Sequence, residues 1–186
     1  MRGSREAPHA FLFFGVFTGF EDLLEEVRGR VEARYGPLHL HGVSPVYEFP
    51  RTRSYARTMG PNLKRQFFVL AERWPQDGLA PVKHAALEIE SECARLRTYG
   101  VDRPVNIDPG LLNDCRIILA STKDYSHRIY RSSGIWEEVT LIFEKGAWRP
   151  LPWTYPDFRA GTYHAFFQGL RAELLDLIQS ERQRSQ

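Results

Sequence analysis

The run Ala10 to Phe17, AFLFFGVF, constrains this chain more than any other feature. A short, unbroken apolar stretch reads as a buried strand, and a buried strand needs paired neighbours and a layer of side chains over it. The run is too short for the ~18–20 apolar residues of a membrane span, and Thr18-Gly19 ends it. Arg2 and Arg5 precede it, but Glu21-Asp22 follow where a signal peptide would carry a small-residue cleavage site. The expectation is a cytoplasmic protein with no membrane partner.

Helix and strand signals alternate along the chain. Thr18 and Glu21 spell a T-x-x-E capping box. Phe20, Leu23, Leu24, Val27 and Val31 follow at helical spacing, and Gly36-Pro37 closes that helix. Residues 38–49 carry a strand or two, strongest at Val43 and from Val46 to Phe49. Residues 50–63 form a loop holding Gly60-Pro61, and 65–73 (RQFFVLAER) read as a strand. A second helix fits 80–97, with Val82, Ala85, Ala86, Ile89, Cys93 and Leu96 on one face, which makes Cys93 a core residue.

Residues 106–122 are ambiguous. Asp108-Pro109 resembles a helix cap followed by proline at the first helical position. Leu111, Leu112, Cys115, Ile118 and Leu119 then fit a helical stripe, although Arg116 to Ala120 would also fit a buried strand. The cap favours a helix over 109–120. A hairpin follows, 126–131 with 135–143, joined at Ser132-Ser133-Gly134. Lys145-Gly146 makes another turn, and Trp148 to Leu151 a short strand. The loop PWTYPDF leads to a final helix from about Thr162 to Gln179, with Phe166, Leu170, Leu174 and Leu177 inward. The expected architecture is α+β: a mostly antiparallel sheet with helices packed on one face. It opens with a ferredoxin-like βαββα and continues through a β-meander to a C-terminal helix.

With 186 residues, 42% hydrophobic and 26% charged, the chain suits one domain over 1–186, with an ordered core at 7–180 and a polar, frayed tail at 181–186. Cys93 and Cys115 stand alone, with no CxxC, as expected in a reducing compartment. A net charge of +2 does not mark a nucleic-acid binder, but Arg51, Arg53, Arg57, Lys64 and Arg65 cluster without an acid among them. There is no phosphate loop, no G-x-G-x-x-G, no H-E-x-x-H and no G-x-S-x-G. His39 and His41 would share one face of a strand. With no third ligand nearby in sequence, they read as two exposed histidines, and no metal site is expected.

Three strings stand out together: Asn106-Ile107-Asp108-Pro109-Gly110, then Thr122 to Tyr130 (TKDYSHRIY), then Leu151 to Asp157 (LPWTYPD). With Met59-Gly60-Pro61 and Lys64-Arg65, this set resembles the prokaryotic family known as domain of unknown function 4416, over nearly the whole chain. Some members of that family are labelled GTP-binding. This sequence lacks the phosphate loop, and Thr122-Lys123-Asp124 is one residue short of the guanine-reading [NT]-K-x-D pattern. The resemblance therefore implies the extent of the fold and singles out segments, but implies no reaction.

Those segments hold the candidate site. Lys64, Arg65, Lys123 and Arg128 suit phosphate or carboxylate. His127 suits acid–base work near neutral pH. Asp108, Asp124 or Asp157 could orient that histidine or hold Mg²⁺. Trp153 and Tyr155 could stack on a base or sugar. On a regular strand Lys123, Tyr125 and His127 face one way and Asp124, Ser126 and Arg128 the other, so all six reach one pocket only if a bulge or turn intervenes. The preferred set is therefore Lys123 and His127 with Asp108 and Asp157, and Arg128 could instead pair with Glu137 or Glu138 across the hairpin. Three functions compete. The first is a small enzyme or ligand-binding domain for a phosphorylated small molecule or nucleotide. The second is a non-catalytic adaptor or assembly subunit. The third is an RNA-binding module resting on the basic 51–65 stretch.

Overall fold

A computed structural model describes residues 7–49, 55, 58–96 and 98–184. The strands are β1 (Ala10–Thr18), β2 (Leu38–Val43), β3 (Tyr47–Glu48), β4 (Lys64–Trp74), β5 (Val105–Leu112), β6 (Arg116–Ser121), β7 (Ile129–Ser132), β8 (Ile135–Glu144) and β9 (Ala147–Pro150). The helices are α1 (Asp22–Tyr35), α2 (Leu79–Arg95), the single-turn α3 (Pro156–Arg159) and α4 (His164–Arg184). The strands form one sheet in the order β2-β4-β1-β5-β6-β8-β7, with β3 added to β4 and β9 to β8. Every pairing is antiparallel. The protein is thus α+β with a mostly antiparallel open sheet. Its first part has β2 and β1 running the same way with β4 between them, the split βαβ of a ferredoxin-like unit.

β1 lies inside the sheet, between β4 and β5, and both of its faces are apolar. Ala10, Leu12, Phe14 and Val16 join α1 and α2 in one cluster, while Phe11 and Phe13 join Phe158 and α4 residues Phe167, Leu170 and Leu174 in another. Helices therefore cover both faces of the sheet, not one. The run from Ala10 to Phe17 carries the reason: alternate side chains of a strand point to opposite faces, so an apolar residue at nearly every position requires cover on each side.

Three sequence expectations are corrected. First, 109–120 is not a helix. Leu111, Leu112, Ile118 and Leu119 belong to two strands, β5 and β6, joined by a turn at Asn113. The Asn113 Oδ1 accepts the backbone N–H groups of Cys115 at 3.0 Å and Arg116 at 2.9 Å. Asp108 is a strand residue rather than a cap, and Cys115 is exposed. Second, no capping box forms. Thr18 Oγ1 accepts the N–H of Phe20 and donates to the carbonyl of Pro104, while Glu21 pairs with Lys64 instead of turning back. Third, Leu96 and Leu177 are exposed rather than inward, and Phe167 is buried deeper than Phe166. The hairpin turns stand as expected. Ser133-Gly134 and Lys145-Gly146 both carry positive φ, the conformation a two-residue hairpin loop needs. α4 continues through Arg184, into the stretch read as a tail. No helix is long and apolar enough to cross a membrane among the described residues.

Candidate functional site

Only part of β5 pairs with β6. Gly110, Leu111 and Leu112 meet Leu119, Ile118 and Ile117, and there the ladder stops. Toward Val105 on one strand and Ser121 on the other, the sheet opens. Pro109 stands immediately past the last pair, and proline has no N–H to extend a ladder. Gly110 stands at that pair because nothing larger fits: a Cβ there would lie 2.4 Å from Phe13 and 2.5 Å from the carbonyl oxygen of Ile118. The split holds a cavity of about 200 Å³. Its lining comes from both sides of the sheet: Lys83 and Leu87 of α2 on one, Asp157 and Phe158 of α3 on the other.

One wall is built around Asp108. Arg65 bridges it to Asp157, at 3.5 Å and 3.0 Å respectively. Lys83 Nζ lies 3.4 Å from Asp108 and donates to the carbonyl of Ile107 at 2.7 Å. Burial would raise the Asp108 pKa, but Lys83 and then Arg65 outweigh it and hold the carboxyl below the usual carboxylate range. Behind Lys83, Arg103 holds Glu90 at 2.9 Å and also hydrogen-bonds Asn106. Glu90 Oε1 accepts the Ile107 N–H at 2.8 Å. Burial pushes the Glu90 carboxyl up, with Lys83 and Arg103 pulling against it. The Arg65 guanidinium lies over the rings of Phe17 and Phe49, 4.8 and 5.1 Å from their centroids. Its Nε is buried without a hydrogen-bond partner.

The opposite wall is built around Arg128. Its Nε donates to Glu138 at 2.7 Å, NH1 to Ser121 Oγ at 2.6 Å and to the Lys123 carbonyl at 3.0 Å, and NH2 to Tyr155 OH at 2.7 Å. Segment 122–128 is a turn, closed by Arg128 N–H donating to the Tyr125 carbonyl, and this releases it from strand alternation. Arg128 therefore turns inward with its carbonyl-bearing neighbour Lys123, an arrangement a regular strand would forbid. Glu138 also lies 3.1 Å from His127 Nε2.

The structure gathers six of the ten singled-out residues around the cavity: Asp108, Asp157, Arg65, Lys123, Arg128 and Tyr155. His127, Lys64 and Trp153 lie outside the lining. His127 is stacked on Trp153, 5.3 Å between centroids and 12° between planes, and it reaches the cavity wall only through Glu138. Lys64 pairs with Glu21. Trp153 donates to the Val139 carbonyl at 2.8 Å. The Arg128–Glu138 pair is the cross-hairpin pair the sequence offered as an alternative, while Glu137 faces Arg131. Asp124 is exposed, outside the lining. The Arg65 guanidinium stands between Asp108 and Asp157, so these two carboxylates already share a cation and do not form a vacant pair for Mg²⁺. Arg51, Arg53 and Arg57 lie outside the described residues.

Sequence reasoning missed Lys83, Glu90 and Arg103, and it gave no role to Asn106, although Asn106 opens one of the three singled-out strings. A signal for the first two exists: Lys83 and Glu90 are seven apart, at the edge of the apolar stripe of α2, and both are buried. Chemically, the lining holds five cationic side chains (Arg65, Lys83, Arg103, Lys123, Arg128) against three carboxylates (Asp108, Glu138, Asp157). Each carboxylate faces a guanidinium, which suits it to fix those donors in place.

Neither a curated protein nor a solved structure matches this chain. A family model does, over residues 8–174, which spans β1 through most of α4 and takes in every cavity residue described above. The chain belongs to the family described as Domain of unknown function (DUF4416).

Proposed function

We propose that the cleft between β5 and β6 binds a compact anionic ligand, best a phosphorylated small molecule. One observation carries this: a cavity with five cations and three carboxylates, in which Arg65 Nε is buried with no acceptor. Among the described residues no carboxylate pairs with Lys123, whose ammonium stands free at the rim. Phosphate oxygens match such donors well. The volume, about 200 Å³, is below the ~300–1,000 Å³ of drug-sized sites, which favours a sugar phosphate or similar body over a whole nucleotide. Trp153 does not line the cavity, so base stacking there has less support. A cytoplasmic location goes with this proposal, in keeping with the free thiols of Cys93 and Cys115.

The test is a thermal-shift screen against inorganic phosphate, sugar phosphates and nucleotides. A ligand at about a hundred times its dissociation constant stabilises by about 2.7 kcal/mol, which is about 5–11 °C for a chain of this size. A shift with a phosphorylated compound and none with its dephosphorylated form supports the proposal. No shift with any of them sinks it. The adaptor alternative has its own observation: Leu40, Val43 and Val46 are exposed along and just after edge strand β2, with Leu40 at 90%. It requires a stable oligomer or partner complex by light scattering, with no small-molecule shift.

A further inference from the structure

We propose that His39, His41 and Glu173 form a binding site for a divalent transition-metal ion, best Zn²⁺, at the sheet edge away from the cavity. The inference does not depend on how the cavity is used. His39 and His41 are two apart on β2, so the strand's alternation puts both rings on the same face. That face is the one covered by α4, and Glu173 of α4 comes down between them. The two oxygens of its carboxylate are divided between the rings. Oε1 lies 3.0 Å from His41 Nδ1, and Oε2 lies 3.4 Å from His39 Nε2. One candidate donor atom from each residue falls within 4.8 Å of the others.

The spacing fits a metal. A tetrahedral ion with ligands at about 2.0–2.1 Å holds its donor atoms about 3.3–3.4 Å apart. The two histidine–carboxylate separations, 3.0 and 3.4 Å, lie close to that value, and the three donor atoms as a set fall within 4.8 Å, so ligation requires the side chains to draw in around the ion. Two imidazoles and one carboxylate are a donor set that suits zinc, nickel, cobalt or copper, whereas magnesium and calcium prefer oxygen. Three protein donors leave one position of a tetrahedral ion for water.

The rings are partly prepared. His39 packs against Phe11, with centroids 5.1 Å apart, and its Nδ1 accepts the backbone N–H of His41 at 3.2 Å. Together these turn Nε2 toward Glu173. Ligation takes the proton from Nε2 and leaves one on Nδ1, so this long hydrogen bond is exchanged for a metal–nitrogen bond. His41 is 66% exposed at its side chain, which gives an ion a path from solvent. Because the ligands come from an edge strand and the closing helix, 132 residues apart, a bound ion clasps α4 to the sheet.

The experiment is isothermal titration of the full chain with Zn²⁺ after treatment with a chelator, on the wild type, His41→Ala and Glu173→Gln. Both substituted positions are solvent-accessible, and melting curves in the chelator verify that all three proteins fold alike. The expected result is one Zn²⁺ per chain, a rise in melting temperature with zinc, and affinity about tenfold or more weaker in each variant. Mg²⁺ gives no such binding, and Co²⁺ gives the visible absorption of a tetrahedral site. Absence of stoichiometric zinc binding overturns the proposal. So does zinc binding that survives both substitutions, because the ion is then held elsewhere on the chain.

Discussion

Replacing Arg128 by methionine tests whether the far wall of the cavity is as dry as its geometry states. Arg128 and Glu138 are each 1% exposed at the side chain and 2.7 Å apart. Arg128→Met keeps a long apolar stem and removes the guanidinium. Glu138 then keeps only His127 and Thr140, and Tyr155, Ser121 and the Lys123 carbonyl lose their charged donor. Breaking a buried pair from one side costs about 3–5 kcal/mol, which corresponds to about 6–20 °C in melting temperature for a chain of this length. Urea denaturation followed by circular dichroism measures the loss. The double variant Arg128→Met/Glu138→Met removes the stranded charge along with its partner, and it should be more stable than Arg128→Met alone. A loss under about 1 kcal/mol, the range of a solvated surface pair, would refute the reasoning. A double variant weaker than the single one would refute it as well.

Other expectations follow from the same geometry. Gly110→Ala pushes a methyl against Phe13 and the Ile118 carbonyl, and should cost about 1–3 kcal/mol by overpacking, read by the same denaturation curve. Asn113→Ala removes the acceptor of two backbone N–H groups in the β5–β6 turn and should cost about 1–2 kcal/mol. Asp108 has a folded-state pKa below its unfolded one, so its ion pairs add stability above the ordinary carboxylate range, near pH 4, and lose it as the pH falls through the lowered value. Asp108→Asn should therefore flatten the stability profile below about pH 4, and an unchanged acid slope would show that Asp108 is not held as an ion.

Local signals carried much of this fold. The apolar run at Ala10 to Phe17, the helical spacing of Leu23 to Val31, and the glycine turns at Gly134 and Gly146 each encode their own element. Residues 109–120 did not, for a physical reason. Two short strands separated by a three-residue turn place Leu111, Leu112, Ile118 and Leu119 at the spacing of one helical face. What decides between them is a distant requirement, that β1 needs a partner on each side. The helices on the second face were hidden in the same way, although both parities of β1 were already apolar. At the site, Arg65, Asp108, Asp157 and Arg128 were legible as chemistry, but not their pairing. His127 looked catalytic by type and stands behind Glu138 in space. Arg103 was passed over because nothing in its local sequence separates a buried, paired cation from a solvated one, while Lys83 carried only the weak signal of its seven-residue spacing from Glu90 on one helix. Glu173 completes a pair of histidines from 132 residues away, which no spacing rule reaches.

The central claim is that the β5–β6 cleft holds an anionic ligand, and two lysines test it most directly. Lys123 lines the cleft, while Lys64 is ion-paired to Glu21 outside it. Calorimetric titration with a sugar phosphate on the wild type, Lys123→Ala and Lys64→Ala separates a site from general attraction to a basic surface. A phosphate contact to a charged donor is worth about 1.5–3 kcal/mol. The account predicts that Lys123→Ala weakens binding by about tenfold to a hundredfold, and that Lys64→Ala leaves it unchanged. Equal weakening by both, or no binding to any of the three proteins, would contradict it.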